Sequence, residues 1–318
     1  MKVIGTGSYL PEFLLTNAML EDVVDTSDEW IRERTGIKER RISTGEGASM
    51  LAIKAAKRAL EDSQIAAGQI DLIIVATATP DYYTPSIACL VQKEVGADNA
   101  ICFDMNAACS GFLYAMNTAY AYMLTGVVKN ALIIGAETVS RLINYEDRTT
   151  CILFGDGAGA AVVQKEEDAL FVSQIGADGF KSDALVCRQR TIQNIAVQGE
   201  STAEYLHMNG QEVYKFVVRV IPKLIKEVVA KANLELSDIK YFLLHQANSR
   251  MNQVVASKLG LEEEKFPSNL EKTGNTSAAS IPILLDEVNK KGKLEKGDKL
   301  VICAFGSGLT WSAVVLEW

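Results

Sequence analysis

The chain reads as an α/β protein built from two duplicated halves, and three observations lead there. Short β-rich runs alternate with longer helical patterns along its 318 residues. The apolar runs lack in-out alternation, as strands do when helices cover both faces of their sheet. The third observation is an echo between the halves, in which similar motifs recur at similar spacings.

Strands are predicted at Asp71-Leu-Ile-Ile-Val-Ala, Ala131-Leu-Ile-Ile-Gly-Ala, Tyr241-Phe-Leu-Leu and Lys299-Leu-Val-Ile-Cys-Ala, and helices over 48–60 and 213–230. Asp71 precedes Cys109 by 38 positions (109 − 71), and Asp238 precedes Asn275 by 37 (275 − 238). Cys109 and Asn275 each open a helical run of small residues, which makes Asn275 the expected counterpart of Cys109. Ala131 lies 22 positions beyond Cys109, and Lys299 lies 24 beyond Asn275. Both halves close in a glycine-rich turn and a β-branched strand, from Gly155 and from Gly306. The halves are set at 1–168 and 169–318. Residues 179–206 are polar without a sustained period, which predicts an excursion over the surface.

With 48% hydrophobic and 23% charged residues, the chain has the composition of a globular protein with a large core. Its net charge of −8 argues against nonspecific nucleic-acid binding, so an anionic partner needs a local basic patch. Arg32, Arg34, Lys38, Arg40 and Arg41 form one candidate, and Lys215, Arg219 and Lys223 another; a solvated charged face is the alternative for both. No apolar stretch approaches the roughly 18 residues of a membrane span, and the first residues lack a signal-peptide pattern, so a cytoplasmic protein is expected. The six cysteines are scattered, with no CxxC pair or metal-ligand spacing, and indicate neither disulfides nor a metal.

Cys109 follows an apolar run and small residues at the start of a helical pattern, a strand–turn–helix setting like that of a nucleophile elbow. A helix N-terminus favours an anion, so the thiol is expected to fall from about 8.5 toward neutrality. A small buried core thiol is the competing reading. Of two histidines, His245 ends the run Tyr241-Phe-Leu-Leu, where α/β folds place ligands, whereas His207 lacks such a setting. Asn275 is either a cap or, through the repeat, part of a pocket shared with Cys109. Gly155-Asp-Gly-Ala-Gly-Ala loosely fits a dinucleotide fingerprint but runs into a strand, which excludes that reading. Gly306-Ser-Gly reads as a turn exposing N–H groups, half of a possible oxyanion hole.

With these residues assembled, the chain resembles the β-ketoacyl-acyl carrier protein synthase III family of the thiolase-like superfamily. Thr26-Ser-Asp-Glu-Trp-Ile, Arg34-Thr-Gly-Ile-Lys-Glu-Arg-Arg, Ala107-Ala-Cys-Ser-Gly-Phe, His245-Gln-Ala-Asn and Gly274-Asn-Thr-Ser-Ala-Ala-Ser carry the likeness, which runs almost end to end. It implies a thiolase-like five-layered α/β/α/β/α homodimer that joins an acyl-CoA primer to malonyl-acyl carrier protein. Cys109 would carry the acyl group, His245 and Asn275 would stabilise the enolate, and N–H groups of Cys109 and Ser307 would form the oxyanion hole. No metal or redox cofactor is implied. The resemblance assigns Thr26, Trp30, Arg34, Arg148, Met208, Gly210, Ala247 and Asn248 to CoA, with adenine between Trp30 and Arg148. Phe154, Tyr214 and Phe305 would form a collar at the catalytic end, and Lys215, Arg219, Arg250 and Lys258 would receive the acidic carrier protein. Two positions depart from the common pattern: Ser307 replaces a glycine, and Thr84 replaces a phenylalanine that plugs the acyl pocket, which predicts primers longer than acetyl. A relative using the same three residues in secondary metabolism, or for acyl transfer without decarboxylation, is the alternative.

Overall fold

Two sheets carry the fold in the computed structural model, which describes residues 1–199 and 202–318. The first runs in the order Lys2–Tyr9, Asp156–Gln164, Asn130–Thr138, Leu72–Ala76, Ile101–Met105, with two antiparallel and then two parallel junctions. The second runs Tyr241–Leu244, Lys299–Gly306, Thr310–Glu317, Phe171–Ala177, with one parallel and then two antiparallel junctions. All four apolar runs predicted as strands are strands.

The layers follow from which faces those strands bury. Leu72, Ile74 and Ile133 of the first sheet share a core with Leu243, Leu300 and Ile302 of the second. The helices Gly111–Leu124 and Ser280–Lys290 fill the space between, through Phe112, Met116, Ile281 and Leu285. Ile73 and Val75 point the other way, onto the helices Ala48–Ser63 and Ile87–Val95. Val301 and Val315 do the same against Gly210–Lys231 and Ser249–Leu259. The result is the expected α/β/α/β/α stack. Burial on both faces is why the strands read as unbroken apolar runs, each such side chain contributing about 1.5–3 kcal/mol.

The duplication is present but its register differs from the one predicted. The first strand of each half, Lys2 and Phe171, and the later pairs Leu72 and Tyr241, and Asn130 and Lys299, all differ by one offset (299 − 130 = 169). The same shift superposes the turn Ala108–Ser110 on Ser277–Ala279, placing Ala108 (φ 46°) on Ser277 (φ 51°). Asn275 therefore corresponds to Asn106, not to Cys109, whose counterpart is Ala278. The miscount lies in the starting points: at the common offset Asp71 corresponds to Lys240 (71 + 169) and Asp238 to Gln69 (238 − 169), so the two counts began at non-equivalent positions.

Part of 179–206 is more ordered than its composition implies. A 3₁₀ stretch, Gly179–Ala184, leads into Leu185–Val186, which pairs with His207–Met208. Glu200 and Ser201 lie outside the described residues. Tyr205, Ile192 and Ile195 are exposed, as an excursion over the surface requires.

The halves pack backbone against backbone at Gly135. A Cβ there would overlap the carbonyl of Ala278, in the turn that leads into the central helix of the other half. Backbone cannot yield as a flexible side chain does, so Gly135→Ala is expected to cost at least about 3 kcal/mol, at the upper end of overpacking penalties. Urea denaturation of the variant measures this; a midpoint equal to the parent's would show that the contact is slack.

Candidate active site

Cys109, His245 and Asn275, drawn from three segments, border one cavity of about 440 Å³. Cys109 sits in the turn Ala108–Ser110, between the strand Ile101–Met105 and the helix Gly111–Leu124. Asn106 shapes that turn, its Oδ1 accepting the Ala108 N–H at 3.0 Å. His245 follows the strand Tyr241–Leu244 directly, and its N–H continues the ladder to the Cys303 carbonyl at 2.9 Å. Asn275 is held by an isolated bridge to Phe154: its N–H donates to the Leu153 carbonyl at 2.8 Å, and its carbonyl accepts the Gly155 N–H at 3.0 Å.

Hydrogen bonds behind these side chains decide what each presents to the cavity. The Asn275 Oδ1 accepts the Ser277 N–H at 2.9 Å, which leaves Nδ2 as the group with N–H bonds to give. The Ser280 hydroxyl accepts the Gln246 N–H at 2.8 Å and lies 3.1 Å from His245 Nδ1. Its own proton is then free for Nδ1, and this pattern assigns the imidazole proton to Nε2. Phe305 meets the imidazole edge-on at 5.2 Å between centroids. The site thus offers two neutral N–H donors beside a thiol.

The expectation of a thiol lowered by its helix is overturned. Burial pushes Cys109 up to about 12, and the charge of Glu137 adds to the rise; the hydrogen bond to Ser277 and its own backbone N–H pull the other way but are outweighed. With Cys109 only 7% exposed, the loss of water around a thiolate is the dominant effect. Burial also lowers His245, to about 3, so the imidazole is neutral across the physiological range.

The cavity collects most of the residues assigned to CoA. Trp30, Arg34, Met208, Gly210, Ala247 and Asn248 line it, as do the collar residues Phe154, Tyr214 and Phe305. Asn248 has a structural task as well, capping Ser249–Leu259 through the Arg250 N–H and donating to the Arg34 carbonyl. Arg148 is off the lining, and its guanidinium stands 4.9 Å from the Trp30 centroid, with Arg34 at 4.7 Å. Both cations cover the indole. A base between Trp30 and Arg148 therefore requires Arg148, anchored to the Asp25 carbonyl at 2.9 Å, to swing away. Thr26 also lies off the lining, with its Oγ1 buried and unpartnered. Thr84 is exposed and off the lining of this cavity.

Ser307 turns its side chain elsewhere, donating to the Leu185 carbonyl, and it is Gly306 that lines the cavity. A Cβ on Gly306 would stand 2.7 Å from the Cys109 nitrogen, so this glycine is what allows the two turns to touch. Lys215, Arg219, Arg250 and Lys258 are exposed on the neighbouring helices Gly210–Lys231 and Ser249–Leu259, with Arg250 at the cavity. The other basic stretch is no patch. Arg32 and Lys38 pair with Asp28 and Glu271, and Arg40 is fully buried, donating to the Leu15 and Ile152 carbonyls and Asn17 Oδ1. His207 is exposed and away from the cavity, as expected. Three polar residues that support the site escaped sequence reasoning: Ser277, Ser280 and Glu137. Glu137 carried one signal, a carboxylate at the end of an otherwise apolar strand.

Fold and cavity together define a thiolase-like condensing enzyme of the acyltransferase class. Two stretches match the synthase III family directly: residues 103–179 match "3-Oxoacyl-[acyl-carrier-protein (ACP)] synthase III", and residues 229–318 match its C-terminal part. A beta-ketoacyl-[acyl-carrier-protein] synthase III of Clostridium acetobutylicum is 50% identical, over all of this chain and 98% of that one. The crystal structure of a 3-oxoacyl-[acyl-carrier-protein] synthase III from Aquifex aeolicus is 44% identical with a TM-score of 0.93, covering 100% of this chain and 99% of its own. The enzyme from Thermus thermophilus gives 42% and 0.94 over the same shares. The chain belongs to the 3-oxoacyl-[acyl-carrier-protein] synthase III family.

A neutral buried histidine has a consequence for stability. The unfolded chain takes a proton on His245 near 6.5, while the folded one refuses it until about 3. Stability contributed by this group is therefore present above pH 6.5 and lost progressively on acidification between those values. Denaturation midpoints from pH 7 to pH 4 should fall less steeply in His245→Asn than in the parent; parallel curves would mean the imidazole titrates freely.

Proposed function

We propose that this chain is the β-ketoacyl-acyl carrier protein synthase III that starts fatty-acid chains, condensing an acyl-CoA primer with malonyl-acyl carrier protein. The convergence of Cys109, His245 and Asn275 on one cavity carries the reading. Cys109 attacks the primer thioester and keeps the acyl group as CoA leaves. The tetrahedral oxyanion lies at the contact between the Cys109 turn and the Gly306–Gly308 turn, where the N–H groups of Cys109 and Ser307 are the proposed donors. Malonyl carrier then enters the same cavity and loses carbon dioxide. Nε2–H of His245 and Nδ2–H of Asn275 stabilise the resulting enolate, whose carbon attacks the acyl-Cys109 thioester. Neutral donors suit this step, because developing negative charge is stabilised most where water is excluded and the donors are already in place. The scheme calls on no metal or redox group.

The cavity is read as the CoA channel, with Trp30 at its outer end and the aromatic collar near Cys109. Lys215, Arg219, Arg250 and Lys258 are the carrier-docking cations, and since the whole chain carries −8, docking should weaken with salt. A second copy of the chain completes the acyl pocket. The strand Ile101–Met105 is an edge of its sheet, Ile101 is exposed on it, and Tyr82 and Tyr83 are exposed in the segment that follows the neighbouring strand Leu72–Ala76, an edge that favours covering. Thr84 lies in that region and is assigned to the pocket of the other copy.

Intact-mass spectra after incubation with acyl-CoAs test the acyl carrier: the parent gains one acyl group, and Cys109→Ser gains none. Asn275→Ala should still acylate while releasing carbon dioxide from malonyl carrier about 10²–10³-fold more slowly. An adduct persisting in Cys109→Ser would overturn the assignment.

Primer choice is tested separately. The parent should run as a dimer in light scattering and accept butyryl- or branched acyl-CoA as readily as acetyl-CoA, and Thr84→Phe should shift preference toward acetyl. A monomer, or a parent strongly selective for acetyl, would remove Thr84 from the acyl pocket.

A further inference from the structure

One fully buried acid lies behind the nucleophile without a part in the scheme above. Glu137 is the penultimate residue of the strand Asn130–Thr138 and has no exposed surface. Its carboxylate receives Thr79 Oγ1 at 2.6 Å, the Ala78 N–H at 3.1 Å and Ser277 Oγ at 2.9 Å, so hydroxyls and backbone N–H groups surround it. Ser277 is the link to the chemistry. Its Oγ accepts from the Cys109 thiol at 3.5 Å and donates to Glu137 Oε1, forming an unbroken path Cys109 Sγ–Ser277 Oγ–Glu137 Oε1.

We propose that Glu137 takes the Cys109 proton through Ser277 when the thiol attacks, holds it while Cys109 is acylated, and returns it when the condensation frees the thiolate. The proposal rests on Cys109 being the acyl carrier. In acylation the S–H bond breaks and the sulfur–acyl bond forms; the proton passes to Ser277 Oγ as the Ser277 proton passes to Glu137. CoA departs as a thiolate and is protonated by water. In condensation the carbon–carbon bond forms, the sulfur–acyl bond breaks, and the thiolate recovers its proton by the reverse relay. One solvent proton is consumed per cycle, matching the loss of the malonyl carboxylate as carbon dioxide.

Charge explains why the proton goes this way. A thiolate formed beside ionised Glu137 would put two anions in one dry site, whereas the relay keeps the buried cluster at a single negative charge throughout. Burial raises Glu137 as well as Cys109, which makes its carboxylate a more willing acceptor than an exposed one. His245 is a poor alternative: its Nδ1 is committed to Ser280, and taking the proton would create a cation where burial opposes one. Ser277 touches the reacting sulfur, while Glu137 acts only through Ser277 and is a positioning residue.

Iodoacetamide alkylation of Cys109, followed by mass spectrometry of its peptide, reads this relay without any acyl-CoA. Glu137→Gln keeps the shape but cannot accept the proton. It should be alkylated about 100-fold more slowly at pH 7 and recover toward the parental rate as pH rises and hydroxide replaces the missing base. Glu137→Asp should restore part of the rate at pH 7. Ser277→Ala, which breaks the path while leaving the acid and its contacts with Thr79 and Ala78 in place, should reproduce the Glu137→Gln profile and carries the test if Glu137→Gln does not fold. A folded variant alkylated as fast as the parent or faster, or slower by a factor independent of pH, would overturn the relay. Failure of the parent to accept an acyl group would instead refute the proposed function.

Discussion

The whole site depends on two backbones coming closer than side chains normally permit. Gly135 lets the strand Asn130–Thr138 touch the turn Ser277–Ala279, and Gly306 lets the strand Lys299–Gly306 touch the turn holding Cys109. Gly111 extends the same contact, since a Cβ there would stand 3.0 Å from the Ala76 side chain and 3.6 Å from that of Ala278. Side chains at these positions would force the two central helices apart. Asn275 and Ser277 would then leave Cys109 and Glu137. Close packing sets position here, and the polar contacts follow from it.

Dryness follows from the same closeness. The thiol, the imidazole and the acid are all buried to 7% exposure or less, and each is pushed toward its neutral form: Cys109 and Glu137 upward, His245 downward. The thiol and the imidazole thus rest neutral, and the one charge among the three, on Glu137, is held by the hydroxyls and N–H groups that donate to it. Dryness also makes every oriented dipole count for more when charge develops, which is where Nδ2 of Asn275 and Nε2 of His245 have value. Both are aimed by groups outside the cavity, the Ser277 N–H and the Ser280 hydroxyl, so neither must reorganise during the reaction.

The sequence made the layers legible because burial on both faces leaves unbroken apolar runs, and it made His245 legible because a lone histidine at a strand end is conspicuous. Cys109 was found by its turn, yet its ionisation was misread: the helix effect is local and visible in sequence, whereas desolvation depends on everything packed around the sulfur. Ser277 and Glu137 are 140 residues apart, and no local pattern joins them. Trp30 stood out by type, but the two arginines on its faces arrive from Arg34 nearby and from Arg148 in another segment, a geometry that spacing cannot supply. The repeat was visible while its register was not, because the two aspartates taken as its markers, Asp71 and Asp238, stand two positions out of step with the common offset.

The corrected register explains how a duplicated frame became an asymmetric site. Shifted by the same 169 positions (306 − 137), Glu137 falls on Gly306, just as Ser277 falls on Ala108. Each half therefore crosses the other at equivalent places. At one crossing a serine donates to an acid; at the other, Ala108 faces a glycine whose Cβ would lie 3.2 Å from its own. Stripping the second crossing of side chains opens backbone N–H groups to the cavity beside Cys109. Keeping polar side chains at the first supplies a path for the proton. His245, opposite Ala76 in the register, and Cys109, opposite Ala278, complete the division: each half retains the chemical group where its twin keeps alanine, so the single cavity holds one complete set instead of two partial ones.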